Sequence, residues 1–324
     1  MRAVRVPKFG GPDVLEIVDN LPRPVPGAED VLVRTQVAGV NYIDTYHRTG
    51  AYLMDCPFTL GIEGGGIIEQ IGPDVTDILV GDRVTYCGVP GSYAEWIVVP
   101  ARQVVAVPQN MDILVATAAM VQGLTAQYLC RSSYQLNCNS SVLIHAGAGG
   151  VGRLAIQIAH LLGATIFTTA SNPTKMEIAR QAGAQHVINY TEQDFVDYIN
   201  SHTSGKGVDV VLDSVGKTTF HDSLKCLRPR GLLCLFGQSS GAVGPIDPQI
   251  LNEAGSVFLT RPTLADYALT REELLGRCAE LHEWIDSGQL SVRIDRTLSL
   301  SQAAEAHQAL EARETMGKVL LLTE

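Results

Sequence analysis

The chain has 324 residues, 46% hydrophobic and 18% charged, with a formal net charge of -10. That length exceeds what one core usually fills, so two domains are expected, and the composition excludes an intrinsically disordered chain. No basic run is present that could follow a phosphate backbone, so no nucleic-acid partner and no membrane are expected, and a small molecule fits better.

The opening "MRAVRVPKFGGPD" lacks the apolar core of a signal peptide, and no stretch approaches the ~20 apolar residues of a membrane span, so a cytoplasmic protein is expected. Cysteines fall at 56, 87, 130, 138, 226, 234 and 278, an odd number with no C-x-x-C pair. Such spacing predicts reduced, mostly buried thiols.

The first hundred residues carry short β-rich runs, "VLVRTQVAGVN", "GGGIIEQIG", "GDRVTYCG" and "YAEWIVVP", between proline and glycine turns. After "NMDILVATAAMVQGLTAQYLC", where apolar residues return at helical spacing, strands and helices alternate. Strands are predicted at 142–145, 164–169, 186–189, 208–213, 232–237 and 256–260. Between the first two lies a helix over 151–162, with Val151, Leu154, Ala155, Ile158 and Leu162 on one face and Gly163 closing it. Six apolar strands joined by crossovers predict a doubly wound parallel sheet of Rossmann type. The last sixty residues break this rhythm with a helix near "REELLGRCAELHEWIDSG", a helix over 301–313 and a terminal strand "KVLLL", which most simply return to the amino-terminal domain. The fold class is therefore α/β, with one β-rich domain over 1–120 and 266–324 and a dinucleotide-binding domain over 121–265.

"VLIHAGAGGVGRL" places Gly147-x-Gly149-x-x-Gly152 after a strand and at the start of a helix. Glycines there permit the tight turn and let Gly147, Gly149, Gly150, Val151 and Gly152 approach a pyrophosphate, whose charge rests on the helix amino terminus. An NAD site usually carries Asp or Glu at the end of the second strand. Here "TTASNPTK" offers Ser171, Asn172 and Lys175 and no acid, so repulsion toward a 2′-phosphate is removed and Lys175 supplies a positive partner; NADPH is the expected cofactor. Lys175 also reads as a solvated lysine on a first helical turn. Tyr190 either flanks the adenosine or covers an edge. Ser214, Gly237 and Ser240 fall at the ends of the fourth and fifth strands, on the carboxyl edge where this fold binds ligands.

Over its whole length the chain resembles the medium-chain dehydrogenase/reductase superfamily, and within it the zinc-independent quinone oxidoreductases, the zeta-crystallin-like branch. The likeness is carried by "AGVNYIDTYHRTGAY" (38–52), "GIEGGG", "GDRV", "GLTAQYL", "HAGAGGVG", "INY", "DSVG", "RGLLCLFGQSSGA" and "TRPTLADY". The resemblance implies a GroES-like catalytic domain beside the Rossmann domain, and a homodimer paired through the Rossmann edge strand "SVFLTRP". It also implies an acceptor bound in the interdomain cleft beside the nicotinamide. In the zinc-dependent relatives a Cys near position 41 and a His before the glutamate of "GHE" help to hold a metal. Here Asn41 and Ile62 stand in those places, and only Cys87 remains between Gly81 and Pro100 of the lobe that normally holds four cysteines. No zinc is expected.

Without a Lewis acid the acceptor must already be electrophilic, or its oxygen must be held by hydrogen-bond donors alone. Quinones meet that condition, and so do alkenes conjugated to a carbonyl. The resemblance places Asn41, Tyr46 and Tyr52 in the nicotinamide and substrate pocket, Asn41 as an amide hydrogen-bonding group and the tyrosines as flat walls with a polar tip. The tyrosines also read as loop-packing aromatics. The resemblance puts Thr125 near the nicotinamide, although a helical threonine can equally bond its own backbone. Asp44 and His47 suggest an acid-base pair, with a surface histidine as the plainer reading of His47. Glu63 reads as a structural remnant bonded to backbone or to a basic side chain. The expected function is NADPH-dependent reduction of quinones. Reduction of α,β-unsaturated ketones or aldehydes is the alternative, and an NADPH-binding protein with little turnover, crystallin-like or RNA-binding, is a third reading.

Overall fold

The structure is a computed structural model, and it describes residues 1–323. The chain divides into two compact units, the first Met1–Val121, Ala268–Asp286 and the residues from 292 onward, the second Gln122–Tyr267 and Ser287–Ser291.

In the first unit the run "DVLVRTQVAGV" forms the long strand Asp30–Val40, whose Val31, Val33, Val37 and Val40 are buried in apolar clusters packed on the faces of the sheet. Glu63–Ile71 pairs antiparallel along one edge and Lys318–Leu322 along the other. The terminal strand thus returns to the amino-terminal unit, with Val319 opposite Val40 and Leu322 opposite Val37. The sheet of seven strands is completed by Ile294–Ser299, Arg83–Cys87, Val104–Ala106 and Trp96–Pro100, and a smaller one joins Glu16–Val18, Ala3–Val6 and Phe58–Thr59. This is the GroES-like architecture. The glycine run in "GIEGGG" is consumed by close packing: a Cβ on Gly64, Gly65 or Gly66 would overlap the Tyr86 hydroxyl, the Thr117 hydroxyl or the Arg34 carbonyl.

The second unit holds six strands, all parallel, in spatial order His186–Asn189, Thr165–Ala170, Ser141–Ile144, Val208–Asp213, Leu227–Leu235, Phe258–Thr260. Numbered along the chain that order is 3-2-1-4-5-6, the doubly wound Rossmann arrangement, with the direction of winding reversing between the first and fourth strands. Leu143, Phe167, Ile188, Val211 and Leu233 meet in its core, which explains why these strands read as unbroken apolar runs. The phosphate helix is Gly150–Leu161, and Gly163, at φ 78°, takes the left-handed position that ends it. The fifth strand starts earlier than the apolar run suggested, because Leu227 pairs with Val208 ahead of an irregularity in register, and it ends at Leu235. Gly237, two residues past that end, lies in the loop beyond the strand.

One expectation is corrected. Ile113–Ser133 is a helical run of 21 residues, by length and composition long and apolar enough to cross a membrane, and most of its apolar stretch is buried within the protein. Its alanines, glycine and threonines dilute the apolar signal in the sequence, and its last turn, Leu129–Ser133, is π-helical.

Candidate active site

Gly147, Ser171, Tyr190, Ser214 and Gly237 all follow the carboxyl ends of parallel strands in the second unit. Ala146 turns the chain at φ 56°, and its carbonyl accepts the Gly149 amide at 2.9 Å. A Cβ on Gly147 would overlap the Thr168 hydroxyl of the second strand, and one on Gly152 the Ala146 carbonyl, so the first glycine is required by packing on the neighbouring strand and the other by packing of the loop on itself. At Gly149 a Cβ would meet only the Ala146 carbonyl at 3.2 Å, leaving the open cradle that a pyrophosphate needs. The first-turn amides of Gly150, Val151 and Gly152 are those a helix leaves without an internal acceptor. The donor set and the open glycine therefore fit a dinucleotide.

At the end of the second strand, Asn172 caps the next helix by accepting the Lys175 amide at 2.9 Å, so its side chain is spent on structure. Ser171 and Lys175 are half-buried beside it, and Tyr190 is exposed after the third strand. Ser214 and Gly237 lie so close that a Cβ on Gly237 would sit 2.6 Å from the Ser214 carbonyl. The Ser240 hydroxyl donates to the Val215 carbonyl at 2.7 Å and accepts the Thr218 amide at 3.1 Å, which braces these loops. Thr125 is buried in the helix Ile113–Tyr128.

Sequence reading missed the polar belt beneath this edge. Asp213, fully buried at the end of the fourth strand, accepts the amides of Val215 (2.8 Å) and Gly216 (3.0 Å) and the hydroxyls of Thr219 and Ser223. His145, just beyond the first strand, is within 3.0 Å of both the Ser223 and Thr169 hydroxyls. Burial pushes the His145 pKa down against the pull of Asp213, which favours the neutral ring. The only signal for this belt was "DSVG", whose acid could be placed at a strand end but not given partners.

A second cluster lies in the first unit. Glu63 is fully buried and holds the Lys318 ammonium, the Asn41 carboxamide nitrogen (2.8 Å) and the Val121 amide (2.6 Å). It is thus bonded both to backbone and to a basic side chain. Lys318, fully buried as well, also donates to the Asn41 carboxamide oxygen at 2.8 Å. The second amide hydrogen of Asn41 faces the Gly39 carbonyl at 3.3 Å, so the carboxamide is occupied by the protein on both ends. Gly39 is the crossing point: a Cβ there would overlap Glu63 and lie 2.8 Å from Cε of Lys318.

Asp44 is not paired with His47. Its carboxylate accepts the Asn41 amide at 2.8 Å and the Tyr93 hydroxyl at 2.9 Å, and its other oxygen is buried without a partner. Burial pushes the Asp44 pKa up to about 7 against both hydrogen bonds. The network continues from Tyr93 to His307 (3.3 Å), from His307 to Arg48 (3.0 Å) and from Arg48 to Glu311 (2.6 Å). Burial, aided by the charge of Arg48, pushes His307 down to about 3. His47 is half-buried rather than on the surface, and burial lowers its pKa. Tyr46 and Tyr52, both half-buried, pack with ring centroids 5.2 Å apart, Tyr42 lies 5.7 Å from Tyr46, and His47 lies 6.1 Å from Tyr52. Among the described residues no group of three or more His, Cys, Asp or Glu is arranged to hold a metal ion.

A GroES-like unit joined to a Rossmann unit with an open phosphate loop defines a medium-chain dehydrogenase/reductase. Family profiles agree, with an alcohol dehydrogenase GroES-like domain over residues 27–109 and a zinc-binding dehydrogenase domain over 182–321. A quinone oxidoreductase of Pseudomonas aeruginosa is 42% identical, covering 99% of each chain, and a 2-haloacrylate reductase of a Burkholderia species is 39% identical over 99% of this chain and 98% of its own. The solved structure of Escherichia coli quinone oxidoreductase complexed with NADPH superposes with a TM-score of 0.97 at 40% identity, covering 99% of this chain and 100% of that one. The chain belongs to the quinone oxidoreductase family of the medium-chain dehydrogenases/reductases.

Proposed function

We propose that the protein is an NADPH-dependent, zinc-independent reductase of quinones. The observation that carries this reading is the state of Glu63. The one carboxylate placed to serve a metal is already neutralised by the Lys318 ammonium, which would repel a second cation at that position. Reduction without a Lewis acid requires an acceptor that is electrophilic on its own, and a quinone ring is one. NADPH supplies a hydride from its nicotinamide ring. Gly147, Gly149, Gly150, Val151 and Gly152 would hold its pyrophosphate, Ser171 and Lys175 its 2′-phosphate, and Tyr190 would flank the adenosine. Thr125, Ser214, Gly237 and Ser240 would line the remainder of its path. Tyr46 and Tyr52 would give the acceptor flat walls, with a phenolic hydroxyl as hydrogen-bond donor. Asn41, held at both ends of its carboxamide, would keep the floor of that pocket rigid.

Loss of NADPH absorbance on adding a small quinone tests the reading, and no turnover with any quinone would overturn it. The Tyr52→Ala variant is expected to raise KM for quinone about tenfold, while the NADPH dissociation constant from equilibrium titration stays within twofold. A second acceptor class is favoured by the full-length likeness to a 2-haloacrylate reductase. Activated alkenes satisfy the same electronic requirement, and a parallel screen of quinones, enones and 2-haloacrylates decides between them.

The reading includes a homodimer built on the edge strand Phe258–Thr260, where Phe258 is 63% exposed and, among the described residues, no strand pairs along the outer side. Phe258→Asp is expected to halve the mass measured by light scattering. An unchanged mass would remove this edge from the interface.

A further inference from the structure

Four glycines stand in "GAGGVG", and the third of them, Gly150, is not explained by the phosphate motif. The space at Gly147 is filled by Thr168 of the second strand and that at Gly152 by the loop's own backbone, and Gly149 is open toward a ligand. Gly150 is different: a Cβ there would overlap Cδ, Oε1 and Nε2 of Gln122. The Gln122 carboxamide thus occupies the space a side chain would take on the first residue of the phosphate helix. Gln122 is half-buried in the helix Ile113–Tyr128, and its side chain has no hydrogen-bonding partner among the described residues. A carboxamide carries two donors, and turning it about its last side-chain bond directs them to either side. A polar group with spare donors, seated where a helix directs its first amides at an anion, is suited to an oxygen of that anion.

We propose that Gln122 is a cofactor-contacting residue, its Nε2 donating a hydrogen bond to the pyrophosphate of NADPH, and that Gly150 is glycine because it seats this carboxamide. The inference rests on the NADPH reading and is independent of the acceptor. It adds a neutral side-chain donor to the backbone amides of the loop, strengthening the hold on the phosphates without adding a charge.

The test is calorimetric titration of cofactor-free protein with NADPH and, separately, with adenosine 2′-phosphate, which lacks the pyrophosphate. Gln122→Ala should weaken NADPH about tenfold and leave adenosine 2′-phosphate within twofold, with Tm unchanged. Gly150→Ala should weaken NADPH by a similar factor because the new methyl displaces the carboxamide. The double variant should bind no more weakly than Gln122→Ala alone. Wild-type affinity in Gln122→Ala, or equal weakening of both ligands, overturns the contact. A double variant that multiplies the two losses overturns the seating role of Gly150. Wild-type protein that fails to bind NADPH overturns the cofactor reading itself, a failure visible before any substitution is made.

Discussion

Replacing Lys318 with methionine is expected to cost about 3–5 kcal/mol of folding stability, because it leaves the fully buried Glu63 carboxylate without its counter-charge and with only the Asn41 and Val121 donors. Against the ~5–15 kcal/mol of a typical fold that is a large fraction. Glu63→Gln alone should also destabilise, since the ammonium then keeps only neutral acceptors. The double variant Lys318→Met with Glu63→Gln should recover most of the loss, because no charge remains buried and the glutamine oxygen can still accept the Val121 amide. Urea unfolding of the three variants checks this. A Lys318→Met protein within ~1 kcal/mol of wild type would show that the ion pair does not hold the sheet.

The second expectation is a pair of opposite pH dependences within one network. His307, pushed down to about 3 from an ordinary 6.5, favours the native state in its neutral form. Its contribution is present above pH 6.5 and is lost as pH falls toward 3. Asp44, pushed up to about 7 from 3.8, favours the native state in its protonated form. Its contribution is present below pH 3.8 and is lost as pH rises through 7. Between pH 4 and 6.5 the two slopes, about 1.4 kcal/mol per pH unit each, oppose one another. His307→Gln should therefore give a protein whose stability falls as pH rises through this window, and Asp44→Asn one whose stability rises. Thermal unfolding at half-unit steps of pH reads both, and parallel slopes in the two variants would contradict the assignment.

The Rossmann half was legible because its rules are local. Apolar runs of strand length, a helix face repeating at Leu154, Ala155 and Ile158, and glycines at a strand-to-helix turn are patterns that the backbone imposes within about thirty residues. The missing acid after the second strand was legible for the same reason. The tail was placed by elimination, and the antiparallel pairing of Val319 with Val40 agrees with it.

Lys318 was not legible. In "KVLLL" it reads as the polar start of a strand, and it meets Glu63 only because both flanking strands carry their side chains across Gly39. Arg48 and His307 lie 259 residues apart in sequence, and nothing local in "YHRTG" or "AEAHQAL" announces that they touch. Gln122 was hidden in an apolar helical run, and its meaning depends on the glycine it covers.

The sequence by itself therefore determined the two-part α/β architecture, the phosphate loop and the departure of Asn41 and Ile62 from metal-binding residue types, since each follows from residue identity or short-range spacing. Only the tertiary structure decided that Glu63 is held by an internal cation, that Asp44 and His307 share one buried network, and that the Gln122 carboxamide packs against Gly150 of the phosphate helix. Those facts depend on sheet register and helix packing between distant segments: a slip of one residue would send Glu63 or Lys318 to the opposite face of the sheet, and would turn a helical residue such as His307 or Gln122 away from its neighbour.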